Sequence, residues 1–144
     1  MIEQDTIRLL RECDAGIRMG ISSLDDLMDY TKNQELKNCL NGCRSKHDKL
    51  QTDINNALRR FNDSGKEPNP MAKGMSWMKT NMKLAMDNSD AAVADLITDG
   101  CNMGIKSLSK YLNQYKAADE DSKELAKRLI SSEEKLVTDV RKFL

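Results

Sequence analysis

The chain has 144 residues, enough for one domain with a full hydrophobic core and no need of disulfide or metal staples. Lys and Arg together number 23 and Asp and Glu 23, a formal net charge of zero that argues against nucleic acid as the main partner, because a phosphate-binding surface carries a basic excess. Aromatic residues are scarce, β-branched residues do not alternate, no run approaches the ~20 apolar residues that span a bilayer, and the acidic start Met1-Ile2-Glu3-Gln4-Asp5 is unlike a leader, so a soluble, cytoplasmic, all-helical protein is expected.

The first predicted helix begins near Asp5 or Thr6 and runs to about Tyr30, with inward positions Ile7, Leu10, Asp14, Ile17, Ile21, Leu24 and Met28 spaced three or four apart. Thr31 and Gln34 have capping-box spacing, so the chain turns there and a second helix follows from about 33 to 61 as an antiparallel neighbour. Its seam is Leu36, Leu40, Cys43, His47, Leu50, Ile54, Leu58 and Phe61, which puts the only histidine where a core residue belongs. The polar run 62–70 ends it.

Asn69-Pro70 then signals a short helix over 71–86, where Met71, Met75, Met78, Met82 and Met86 form a stripe beside Trp77, with Lys73, Lys79 and Lys83 between them. The first reading of this helix is that it lays its apolar face over the bundle. The alternative is a docking surface for a protein partner or a lipid headgroup layer, through Met71, Met75, Trp77, Met78 and Met82. A further helix runs from Ser89 or Asp90 to about Tyr115, with Val93, Ile97, Cys101, Ile105, Leu108, Leu112 and Tyr115 inward. The last covers about 122–143 after a cap in 119–122, with Leu125, Leu129, Glu133, Leu136 and Val140 inward. The four cysteines, Cys13, Cys39, Cys43 and Cys101, form no Cys-x-x-Cys pair and read as small apolar residues.

Two stretches are similar in sequence. Cys13-Asp14-Ala15-Gly16-Ile17-Arg18 aligns with Cys101-Asn102-Met103-Gly104-Ile105-Lys106, and the segment 48–54 aligns with 134–140. Two such hairpins joined by a long connection predict a four-helix bundle with one crossover. Gly16 with Gly20, and Gly100 with Gly104, sit mid-helix, where glycine costs ~1 kcal/mol relative to alanine. They predict a tight crossing of the first and third bundle helices, although a polar site or a contact with a second copy of the chain would use them equally well.

Residues equidistant from a hairpin turn lie at one height, which levels Asp14 with His47 and Asn102 with Glu133. By the repeat the four form one polar layer inside the bundle. One reading is a hydrogen-bonded layer that fixes helix register. The other is a metal site for iron, manganese or zinc built from Asp14, His47 and Glu133, with Asn102 as a fourth member, because carboxylates and an imidazole on facing helices are the ligand types of such centres.

The paired hairpins, the crossover and the inward Asp14, His47 and Glu133 resemble the ferritin-like superfamily. The runs 68–77 and 99–104 resemble an uncharacterised bacterial family near it. The resemblance implies a ferritin-like fold and, through its di-iron pattern, a metal centre, but Arg44 stands where the first Glu of that pattern belongs and the last helix has Glu133 without a histidine. The expectation is therefore a non-enzymatic structural or interaction protein, with a metal-binding, oxidase-like or metal-sequestering protein as the competing reading.

Overall fold

The computed structural model describes residues 2–66 and 89–144, so the expected Met-rich helix over 71–86 lies outside the described residues. Four long helices account for most of them: α1 (Ile2–Met28), α2 (Gln34–Arg59), α3 (Asp90–Gln114) and α4 (Glu120–Val140), the last continuing into a 3₁₀ turn over Arg141–Phe143. No strand occurs among the described residues, and no helix is long and apolar enough to cross a membrane.

The starts of α2, α3 and α4 each have a side chain that satisfies orphan N–H groups. Asn33 accepts from the N–H groups of Glu35 and Leu36, Ser89 from Ala92 and Asp119 from Ser122. Thr31 is not the cap that its spacing to Gln34 predicts. It is buried, and its hydroxyl donates to the Leu27 carbonyl at 2.9 Å, closing the end of α1 instead. At the far end of α2, Asn62 takes a left-handed conformation (φ 55°) and the Asp63 N–H returns to the Leu58 carbonyl at 3.1 Å, which stops the helix.

Packing is most extensive between α1 and α2, between α3 and α4, and between α2 and α4, whereas α1 meets α3 more sparsely. Loops tie the ends together. Asp90, at the start of α3, accepts from the N–H groups of Lys32 and Asn33 in the α1–α2 loop at 2.8 and 3.1 Å. At the other end, Ala117 and Asp119 of the α3–α4 loop donate to Asp5 Oδ2 and Thr6 Oγ1 at 3.0 and 2.8 Å. Lys142 pairs with Glu35 at the start of α2.

The core falls into two clusters. One gathers Leu24, Leu27, Leu36, Leu40, Val93, Ile97, Leu136 and Val140 at the α1–α2 loop end, and the other gathers Leu9, Leu10, Ile17, Leu50, Ile54, Leu58, Leu108 and Leu129. The α2 seam is buried from Leu36 to Leu58, as its spacing predicts. On α1 the buried face is rotated, including Thr6, Leu9, Cys13 and Leu27, while Ile7 and Met28 are only half-buried.

Candidate functional site

The two clusters meet at a thin level that contains His47 on α2 and Glu133 on α4, 2% and 9% exposed. Both side chains face a glycine on a neighbouring helix. A Cβ added at Gly20 would lie 3.1 Å from His47 Cδ2 and Nε2, and one added at Gly104 would lie 2.6 and 2.8 Å from the Glu133 carboxylate oxygens. The glycines therefore make room for polar side chains, and this is what offsets their ~1 kcal/mol helix penalty. Gly16 and Gly100 face open space, so the expected tight crossing through Gly16/Gly20 and Gly100/Gly104 is replaced by two separate polar contacts.

His47 Nδ1 lies 3.0 Å from the Cys43 carbonyl, one turn back on its own helix, and 3.6 Å from Cys43 Sγ, which in turn lies 3.7 Å from Ser132 Oγ on α4. Because a carbonyl can only accept, Nδ1 is the protonated nitrogen of the neutral ring and donates to it. Burial holds the imidazole pKa below its ordinary 6.5, against the opposing pull of the Cys43 carbonyl. Among the described residues no charge compensates Glu133. Its Oε2 has no hydrogen-bond partner, and burial alone pushes the carboxyl up to about 8.

Asp14 belongs elsewhere. It is fully buried, but its Oδ2 accepts from the Lys66 N–H at 3.1 Å and pairs with Arg18 Nε at 3.1 Å, while Oδ1 has no hydrogen-bond partner. The chain after α2 folds back over α1 to reach it. Gly65 lies on Asp14 with φ at 91°, and any Cβ there would overlap the carboxylate. Lys66 Nζ reaches Glu12 Oε1 at 2.5 Å, and the Gly65 N–H donates to Asp63 Oδ1 at 2.8 Å. Asp14 is thus the anchor of a strap over 62–66, which no spacing rule on the helices could reveal. Gly65, within the polar run after α2, is the residue whose positive φ lets the strap form.

The expected four-residue layer is corrected in two of its members. Asp14 is not hydrogen-bonded to His47, which packs instead on Gly20, six residues further along α1. In antiparallel helices each side chain leans toward its own helix N-terminus, so Asp14 leans away from the α1–α2 loop and His47 toward it. Asn102 is exposed, and the α3 residue facing Glu133 is Gly104, two positions on. Among the described residues no group of three His, Cys, Asp or Glu side chains converges as a metal would require, and Asp14, His47 and Glu133 stand as three separate buried polar groups. The docking residues Met71, Met75, Trp77, Met78 and Met82 lie outside the described residues.

Compared with known proteins, the chain matches no family model, no curated protein and no solved structure.

Proposed function

We propose that the chain is a non-enzymatic helical-bundle protein of the ferritin-like class, acting through structure or interaction, with buried polar groups that set the register of its helices. The observation that carries this reading is that the inward polar side chains are engaged one by one. His47 is bound to its own helix and seated on Gly20, Asp14 holds the 62–66 strap, and Glu133 is seated on Gly104. None shares a ligand with another, and each can fit in only one register because its glycine or its strap stands at one height.

The ferritin-like connectivity is supported by the ends of the helices. Asp90 is bonded to the α1–α2 loop and Ala117 and Asp119 to the start of α1, so α2 and α3 run the same way, as the expected crossover connectivity requires. The competing metal reading draws on the unpartnered Asp14 Oδ1 and Glu133 Oε2, since an unpaired buried carboxylate oxygen is a cation ligand in want of a cation. Titration with ferrous iron, manganese and zinc separates the two. The structural reading expects no saturable binding near one equivalent; saturable binding that His47→Ala or Glu133→Gln abolishes, at equal folding, would replace it with the metal reading.

A further inference from the structure

We propose that Glu133 is a proton-controlled latch between α3 and α4: the neutral carboxyl lets α3 close over it through Gly104, and its ionisation releases α3 so that water reaches the carboxylate. This goes beyond the structural reading and does not depend on it.

The geometry carries the proposal. Both carboxyl oxygens lie against the α3 backbone at Gly104, where even a methyl group would force the carboxyl to shift, and Oε2 has no hydrogen-bond partner among the described residues. Among the described residues the titratable groups that face Glu133 are the Cys13 thiol from α1, the Cys43 thiol from α2 and the Cys101 thiol from α3, whose pKa values are raised by burial first and by the Glu133 charge as a smaller effect. All three are thereby held protonated. Among the described residues no Lys, Arg or protonated His offsets a negative charge on the Glu133 carboxyl. On its own helix the neighbouring buried side chain is the hydroxyl of Ser132, which is engaged with Cys43.

An ionised carboxylate enclosed in this way must either regain its proton or gain water. Water can enter by displacing the element that covers the carboxyl, and that element is α3. Among the described residues α3 packs mainly on α4 and meets α1 only sparsely, so its release is the opening of that one interface, the one that encloses the carboxyl. The carboxyl titrates around 8 while α3 is closed, and near its ordinary 4.5 once α3 is open. Linkage then dictates the form of the response: the open population rises about tenfold for each pH unit between those values and levels off above about 8.

Hydrogen exchange of the full chain, measured by mass spectrometry from pH 5 to 9 and normalised to the intrinsic chemical rates, tests this. The expected result is that protection of α3 around residues 100–108 falls by about tenfold per pH unit up to about pH 8 and then flattens. Glu133→Gln, which keeps the shape and cannot ionise, should show no such slope. Equal slopes in the two proteins, or no slope in the wild type, overturn the proposal. If Glu133→Gln does not fold, the ¹³C resonance of the Glu133 carboxyl in the wild type decides: titration near pH 8 together with the levelling of α3 protection supports the latch, and titration below pH 6 overturns it.

Discussion

Two glycines explain how His47 and Glu133 can be buried. A glycine in mid-helix is a local penalty, and of the four that stood out only Gly20 and Gly104 meet a side chain that accounts for it. Gly104→Ala would bring a methyl to 2.6 Å from the Glu133 carboxyl, so it should destabilise the protein by ~1–3 kcal/mol. In a Glu133→Ala background the same methyl meets no carboxyl, and the substitution should instead stabilise by ~1 kcal/mol through helix propensity. Urea unfolding of the four proteins in this cycle measures the change of sign. A Gly104→Ala cost that persists without Glu133 would mean that the glycine serves something other than the carboxyl. Gly16→Ala, facing open space, provides the internal control and should stabilise in either background.

At the scale of the elements, helix ends and the strap decide how the four helices join. Asn33 caps α2 with two N–H contacts, whereas Gln34 reaches only the exposed Asn38 amide. Asn33→Ala should therefore lower stability by ~1 kcal/mol and Gln34→Ala by less than ~0.5 kcal/mol. The strap has a sharper dependence. Gly65→Ala demands both a positive φ from a residue with a Cβ and space that Asp14 already fills, so a cost of ~1–3 kcal/mol or more is expected, with trypsin cleaving after Lys66 faster than in the wild type. Unchanged cleavage at Lys66 would show that Asp14 and Gly65 do not hold the strap. The seam of α2 was legible in the sequence because it is local to one helix; its cap was misplaced by two positions, because Thr31 has the right spacing to Gln34 but uses its hydroxyl at the end of α1 while Asn33 takes the free N–H groups. The strap was not legible, because its acceptor is Asp14, fifty-two positions before Lys66.

For the whole molecule the two buried titratable groups give opposing pH dependences. The His47 pKa is lower folded than unfolded, so the unfolded chain takes up the proton first and stability is lost as pH falls below 6.5. The Glu133 pKa is raised from 4.5 to about 8, so the folded chain keeps a proton that the unfolded chain releases, and stability is lost as pH rises between those values, by a few kcal/mol in total. Glu133→Gln should remove the second slope and leave the first. Urea midpoints at pH 5, 6.5 and 8 read this directly. A wild type and Glu133→Gln with parallel profiles across that range would show that Glu133 is not held neutral in the fold.

The sequence by itself determined the all-helical class, the inward seams of α2 and α4, and the burial of His47 and Glu133, because a period of three and four residues is a property of one helix and needs no neighbour. The tertiary structure alone decided what those groups meet. Level arithmetic counts Cα heights, but a side chain leans about a turn toward its own N-terminus and its helix can rotate about its axis. Asp14 was thereby turned toward Lys66 rather than His47, and Asn102 was turned to solvent while Gly104 took the place against Glu133. Both displacements depend on the packing of one helix against the next, which no spacing within a helix encodes.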